Sequence, residues 1–122
     1  MSKRTAIIGA TPNPDRYAYK ATRSLQQHGH PVFPVGIAKG EIGGEKILQL
    51  ADKPNLGEID TVTLYVGAKN QVHWKDYILN LKPKRLIFNP GTENRDLEQA
   101  AEQKGIECIH ACTLIMLSIN QY

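Results

Sequence analysis

The sequence predicts an α/β domain with a doubly wound parallel sheet, built as three layers with helices on both faces. Short apolar and β-branched runs alternate with helix-like segments along the chain, which is the pattern of βαβ units. The first run passes through a small-residue loop directly into a helix start, as in doubly wound sheets. A chain of 122 residues has the length of one domain. We therefore expect a single domain over residues 1–122.

The strands and helices follow from local patterns. Residues 6–8 have the continuous apolar character of a buried strand, and Gly29 marks the end of a first helix. Pro34 favours a strand end or a sheet edge. We predict strands at residues 6–8, 32–35, 61–66, 85–88 and 106–109. We predict helices at residues 17–28, 71–81, 96–104 and 112–119.

Two stretches between these elements are less regular. Residues 36–44 are rich in glycine and are predicted as a loop, and residues 46–50 form a short ambiguous element. Asn70 is the expected N-cap of the second helix. With right-handed crossovers we expect five strands in the order 3-2-1-4-5. The strand order then reverses beside the first strand, where ligands bind at the carboxyl ends of the strands.

Composition and charge exclude several classes of protein. Lys and Arg number 15 against 12 Asp and Glu, so the net charge of +3 is compatible with a small anionic ligand but lacks the dense basic stripe of a nucleic-acid binder. Two cysteines do not form a disulfide framework. No apolar stretch approaches the length of a membrane span, and no signal peptide is evident. The expectation is a cytoplasmic protein without membrane or nucleic-acid partners.

The loop after the first strand, at residues 9–14, predicts a phosphate at a helix end. Its small residues allow a pyrophosphate to approach the backbone, and the N–H groups at the following helix start attract anions. The dinucleotide pattern G-x-G-x-x-G is incomplete, because Thr11 and Pro14 stand where glycines are needed. The alternative is a tight strand-to-helix turn that binds nothing.

The loop after the second strand carries Lys39 where NAD-binding domains usually place an acidic residue for the ribose. A cation there suits the 2′-phosphate of NADP or the 3′-phosphate of CoA. A solvated surface lysine is the equally open alternative.

The loops after the third and fourth strands are also candidates. Val66 and Gly67 lead into small residues that could line a site for an adenine or pantetheine group. The alternative is that they only form the turn before a helix. Residues 89–94 read Asn-Pro-Gly-Thr-Glu-Asn, in which turn-forming residues around a proline fix the backbone. A rigid loop at this edge of the sheet favours a functional role over a plain turn.

No catalytic or metal-binding constellation is visible. Cys108, His110 and Cys112 would share a face if they lay on one strand, but a spacing of about 6.6 Å between alternate residues is too wide for neighbouring ligands of one zinc ion unless the chain bends. Unreactive, buried thiols are the favoured interpretation. We find neither a Ser-His-Asp nor a Cys-His arrangement, and no paired carboxylates.

Taken together, the loop at residues 9–14, the strand end at residues 33–35, the Asn-Pro-Gly-Thr-Glu-Asn stretch at residues 89–94 and the late Cys112 resemble the small single-domain CoA-binding protein family. That family is similar to the N-terminal CoA-binding domain of the succinyl-CoA synthetase alpha subunit, and the resemblance covers residues 4–119. It implies a Rossmann-like domain that binds CoA.

The resemblance also implies roles for individual residues. The first loop would hold the diphosphate, Lys39 would meet the CoA phosphates, and the fourth-strand loop would contact CoA. The candidate binding residues are Gly9, Ala10, Thr11, Pro12, Asn13, Lys39, Val66, Gly67, Phe88, Asn89, Pro90 and Gly91. The chain departs from the family pattern at residues 65–68, where a basic contact is expected, and at residues 36–37, where many members have Asn-Pro. The synthetase's catalytic histidine belongs to a domain that the resemblance does not cover, so binding without catalysis is implied.

Three functions follow from these observations. The leading one is binding of coenzyme A or an acyl-CoA without catalysis. The second is an NADP-binding oxidoreductase or a subunit that carries the cofactor. The third is a degenerate Rossmann-like domain that acts as a regulatory or interaction module, with a protein partner or a second copy of the chain.

Overall fold

The computed structural model describes residues 2–122, which form eight strands and four α-helices. The strands are β1 (Thr5–Ile8), β2 (Val32–Gly36), β3 (Glu41–Ile42), β4 (Glu45–Lys46), β5 (Leu48–Gln49), β6 (Thr61–Leu64), β7 (Arg85–Phe88) and β8 (Glu107–His110). The helices are α1 (Tyr17–Gln27), α2 (Lys75–Asn80), α3 (Arg95–Gln103) and α4 (Thr113–Ser118). Two 3₁₀ helices lie at Leu50–Asp52 and Ala68–His73. None of the described helices is long and apolar enough to span a membrane.

The main sheet is parallel and has six strands in the order β5-β2-β1-β6-β7-β8. All five predicted strands are present, but their predicted number and the order 3-2-1-4-5 are wrong. The strand predicted as third, β6, pairs with β1 from Thr5↔Thr61 to Ile8↔Leu64. The place outside β2 is taken by the two-residue strand β5, which comes from the stretch that the sequence left ambiguous. The order still reverses beside β1, so the expected edge of the sheet is where β1, β2 and β6 end together.

The predicted loop at residues 36–44 contains one strand of a small hairpin. β3 and β4 pair antiparallel around Gly43 and Gly44, whose φ angles of 54° and 87° suit the tight turn between two strands. Ile42 is completely buried in the core beside α1. A hairpin with two residues in each strand is too short to show an alternating pattern in the sequence.

The sheet is packed on both faces, as predicted for a three-layer domain. Ala6 and Ile8 of β1 face the cluster that includes Ile78 and Leu97 of the helices α2 and α3. Ile7, between them in the chain, faces the opposite cluster with Leu25 of α1 and Leu117 of α4. This alternation is what a strand buried on both faces requires.

The second predicted helix is divided. Residues 68–73 form a 3₁₀ helix and α2 begins only at Lys75, so Asn70 lies inside the 3₁₀ helix and is not the N-cap of α2. Within this 3₁₀ helix the buried side chain of Gln71 forms hydrogen bonds with neighbouring loops. By contrast α3, predicted at residues 96–104, begins at Arg95 with a capped end, because the Asn94 side chain accepts hydrogen bonds from the N–H groups of Asp96 and Leu97.

Candidate functional site

The carboxyl ends of β1, β2, β6 and β7 open into a cleft of about 870 Å³. This volume is within the range of small-molecule and cofactor sites. Eight of the predicted site residues line the cleft: Gly9, Ala10, Thr11, Asn13, Val66, Gly67, Pro90 and Gly91. The structure therefore brings the loops after the first, third and fourth predicted strands into one concave surface.

The first loop is held in place by the strands on both sides of β1. The N–H groups of Gly9 and Ala10 donate to the Val35 carbonyl oxygen at 2.9 and 3.0 Å. Gly9 has a φ of 95°, and a Cβ there would lie 2.9 Å from Cγ2 of Val66. A Cβ on Gly36 would lie 2.3 Å from the Ala10 carbonyl oxygen. Glycine is required at both positions, because the loop after β6 lies too close to Gly9 for a side chain and the backbone of Ala10 lies too close to Gly36.

The start of α1 faces the cleft with free hydrogen-bond donors. Among residues 2–122, the N–H groups of Tyr17, Ala18 and Tyr19 have no hydrogen-bond acceptor, and the N-cap residue Arg16 provides no side-chain cap. Arg16, Tyr17 and Ala18 all line the cleft. The α3 start is different, because Asn94 caps it with its own side chain. An uncapped helix start carries a partial positive charge and binds anions.

The charge of the cleft also favours an anion. In the part of the chain that the structure describes, no carboxylate side chain lines the cleft, and Arg16 is its one permanent cation. The Arg16 guanidinium forms no ion pair within that part of the chain, and its side chain is exposed. An anion beside Arg16 would therefore meet an unpaired cation and unpaired helix N–H groups together.

The Asn-Pro-Gly-Thr-Glu-Asn loop is rigid for reasons visible in its contacts. Gln71 is completely buried, and its side-chain amide donates to the carbonyl oxygens of Val66 at 2.8 Å and Thr92 at 2.7 Å. The hydroxyl of Thr92 donates to the Asn89 carbonyl at 2.7 Å, and Glu93 accepts from the Gly91 N–H at 2.9 Å. The loops after β6 and β7 are thus joined through one buried amide.

Asn89, a predicted ligand contact, is buried beneath the cleft. Its side-chain nitrogen donates to the Thr63 hydroxyl at 2.8 Å and the Leu64 carbonyl at 2.9 Å, and its oxygen accepts from the Thr113 N–H at 2.9 Å. Phe88 is also buried and stacks on the His110 ring with centroids 5.2 Å apart. Neither residue lines the cleft. The contacts show a scaffolding role, and a direct role in binding stays a prediction.

Pro12 and Lys39 lie at the outer rim. A Cβ on Gly40 would lie 2.8 Å from Cβ of Pro12, so the loops after β1 and β2 pack against each other there. Lys39 is exposed and does not line the cleft, although its neighbours Ile37 and Ala38 do. Its contact with a ligand phosphate also remains a prediction.

The sequence reasoning missed several side chains that line the cleft. The candidates did not include Arg16 and Tyr17 at the start of α1, Ile37 after β2, Tyr65 after β6, or Trp74 before α2. Of these residues, only Arg16 could have been found from the sequence. A helix without Ser, Thr, Asp or Asn at its N-cap leaves its first backbone N–H groups without a side-chain acceptor. Burial of Tyr65 raises the pKa of its hydroxyl above the ordinary tyrosine range.

The cysteine and histidine residues near β8 form no metal site. Among residues 2–122, no group of three or more His, Cys, Asp or Glu side chains could hold a metal ion. Burial, together with the carboxylates of Glu98, Glu102 and Glu107, raises the pKa of Cys108 to about 11. His110 pairs with Glu98 at 2.8 Å. Both cysteines are free thiols and half-buried.

Comparison with known proteins identifies the family. The model of the CoA binding domain family matches residues 3–118. The chain belongs to this family. The resemblance drawn from the sequence is therefore confirmed over nearly the whole chain.

Three relatives place this domain among known proteins. A crystal structure described as that of an uncharacterized protein matches with a TM-score of 0.96 and 49% identity, covering 100% of this chain and 99% of that one. The uncharacterized protein YneT of Bacillus subtilis is 24% identical over 104 residues, which is 85% of this chain and 76% of YneT. A dinucleotide-forming acetyl-coenzyme A synthetase of Ca. Korarchaeum cryptofilum shares the fold, with a TM-score of 0.68 and 19% identity over 89% of this chain and 25% of its own.

Proposed function

We propose that this domain binds coenzyme A or an acyl-CoA in the cleft at the carboxyl edge of its sheet, without catalysing a reaction itself. The observation that carries the proposal is the uncapped start of α1, where three N–H groups lack acceptors among residues 2–122 and where Arg16, Tyr17 and Ala18 line the cleft. A diphosphate is the group that such a helix start suits best. Membership of the CoA binding domain family favours CoA among the diphosphate ligands.

The loop after β2 supports CoA or NADP over NAD. Residues 37–39 read Ile-Ala-Lys, so the acidic side chain that would accept the hydroxyls of an NAD ribose is missing. Lys39 is exposed at the rim beside Ile37 and Ala38, within the same loop. A phosphate on the ribose would extend toward this rim, where an exposed amine can follow it.

The absence of catalysis is part of the proposal. The polar side chains of the first loop point to binding: Asn13 accepts from the Asp15 N–H at 3.0 Å, and Thr11 accepts from the Asn13 N–H at 3.3 Å. These local contacts shape the loop, and the proposal gives its side chains no part in a reaction. The domain would then present CoA to another protein or report its concentration.

Isothermal titration calorimetry with CoA, dephospho-CoA, NADP and NAD tests the proposal. We expect CoA to bind with the highest affinity, and each ligand that binds should raise the melting temperature, by several degrees when its concentration is about 100 times the dissociation constant. Heat with NADP but none with CoA would favour the oxidoreductase or cofactor-carrying alternative. No heat with any ligand would contradict nucleotide binding and favour an interaction module.

The role of Lys39 is tested separately. If its amine meets the 3′-phosphate, Lys39→Ala should lower the affinity for CoA by about threefold to tenfold and the affinity for dephospho-CoA much less. The reason is that a charge-assisted hydrogen bond at an exposed site is lost only for CoA. Lys104→Ala is the matched control, because Lys104 is an exposed lysine after α3, outside the cleft lining. An equal loss for both ligands would contradict this assignment of the 3′-phosphate.

A further inference from the structure

A second cavity, of about 670 Å³, adjoins the cleft. It lies between the connection that follows β5 and the segment that contains α2. Leu50 and His73 line both the second cavity and the cleft. A ligand in the cleft that extends past these two side chains therefore enters the second cavity.

The walls of the second cavity are fixed by hydrogen bonds. Tyr77 of α2 donates its hydroxyl to the Pro54 carbonyl oxygen at 2.7 Å, which ties the helix to the opposite wall. Arg4 donates to the carbonyl oxygens of Leu56 at 2.8 Å and Glu58 at 2.7 Å, which holds the same connection against the start of the sheet. The second cavity is therefore built into the packing of the domain.

The lining of the second cavity indicates a neutral, partly aliphatic occupant. Leu50, Val72 and Leu81 contribute apolar surface, and 73% of Val72 is exposed. Lys53 and Asp76 carry opposite charges, so the lining has no net preference for a charged group. Covering the exposed Val72 with an alkyl chain would remove apolar surface from water on both partners.

The direction of the ligand follows from the proposed function, on which this inference rests. With the diphosphate at the start of α1 and the ribose phosphate toward the loop after β2, the other arm of CoA runs along Gly67 toward His73. That arm ends in the thiol that carries the acyl group. We propose that the second cavity holds a short, neutral aliphatic acyl chain, so that the preferred ligand is an acyl-CoA and not free CoA.

Calorimetric titration of the full chain with CoA, acetyl-CoA and hexanoyl-CoA tests this. Each buried methylene should add about fourfold to the affinity, so with only part of the chain buried we expect hexanoyl-CoA to bind at least about tenfold more tightly than acetyl-CoA. Val72→Asp places a charge on a wall that belongs to the second cavity alone, so it should leave the affinity for CoA unchanged and reduce the hexanoyl gain below about threefold.

Ile115→Asp is the matched control, because Ile115 is another exposed aliphatic residue, on α4 and away from both cavities. The Ile115→Asp protein should still bind hexanoyl-CoA about tenfold more tightly than acetyl-CoA. That result would distinguish binding in the second cavity from nonspecific binding of the alkyl chain. Equal affinities for CoA, acetyl-CoA and hexanoyl-CoA would overturn the inference while leaving the proposed function intact. A gain that Val72→Asp does not reduce would also overturn it. A protein that binds none of the three would overturn both proposals.

Discussion

Replacing Arg16 with serine should make the free protein more stable and its complex with CoA weaker. Arg16 occupies the N-cap of α1 with φ −88° and ψ 146°, the extended backbone in which a serine side chain can cap a helix. A serine hydroxyl there can accept from the N–H of Ala18 or Tyr19, neither of which has an acceptor among residues 2–122. No ion pair of Arg16 within that part of the chain is lost.

The magnitudes follow from these contacts. A new N-cap is worth about 1 kcal/mol of unfolding free energy. At an unfolding entropy of about 2.1 cal/mol/K per residue, a domain of this length would melt about 4 °C higher. Loss of a charge-assisted hydrogen bond to a phosphate, about 1.5–3 kcal/mol, should weaken CoA binding by at least about tenfold. The new cap would also compete with the ligand for the same N–H groups.

Urea denaturation of the free protein and calorimetric titration with CoA measure the two effects. Arg95→Ser is the matched control, because Arg95 is also an exposed arginine at a helix start, but Asn94 already caps that helix. The control should change neither stability nor binding appreciably. A less stable Arg16→Ser protein, or one that binds CoA as tightly as the parent chain, would refute the reasoning that the start of α1 is kept uncapped for an anion.

Three further predictions concern the scaffold. Asn89→Ala should lower the unfolding free energy, measured by urea denaturation, by about 3–5 kcal/mol, because three hydrogen bonds are lost and a buried N–H is left unpaired. Asn80→Ala is the control, and because Asn80 is exposed it should lower the unfolding free energy by less than about 0.5 kcal/mol. Weaker CoA binding without a loss of stability would instead favour direct contact between Asn89 and the ligand. Gly36→Ala should lower the melting temperature by several degrees, since its Cβ would lie 2.3 Å from a carbonyl oxygen, while Gly67→Ala, with no atom within 4 Å of its Cβ, should be nearly neutral. Equal effects of the two glycine substitutions would contradict the close approach of the loops. Because the pKa of Cys108 is raised to about 11, iodoacetamide at pH 8 should alkylate it at least tenfold more slowly than a free thiol in the unfolded chain, by mass spectrometry; comparable rates would contradict the burial.

The location of the site could be predicted from the sequence because it depends on local features. A small-residue loop between a buried strand and a helix puts Gly9, Ala10 and Thr11 at the carboxyl edge of the sheet whatever the order of the other strands. The family resemblance rested on the same loop and on residues 89–94, and it covers the region that the family model matches.

The strand order and the role of Asn89 could not be read in the same way. β5 has two residues, too few for a periodic pattern, yet it occupies the place beside β2 that the predicted order gave to β6. The direction of the Asn89 side chain depends on Thr63 and Thr113, which approach it only when β6, β7 and the start of α4 come together. Both features are set by contacts between residues distant in the chain, which local propensity does not encode.

Gln71 has a thermodynamic consequence for any ligand of the cleft. Its amide joins the loops after β6 and β7, and its oxygen accepts from Asn94 at 2.9 Å, so this side of the cleft is ordered before a ligand arrives. Binding on this side therefore avoids the loss of conformational entropy that ordering two loops would cause, and that loss is often a large part of the unfavourable free energy of association. Any ordering on binding should be concentrated across the cleft, where Arg16, Tyr17 and Lys39 are exposed and the loop after β2 is joined to β5 through the part-buried amide of Gln49. The domain therefore offers its ligand one rigid wall and one adaptable one, and differences among acyl-CoA ligands should appear as changes in the motion of the second.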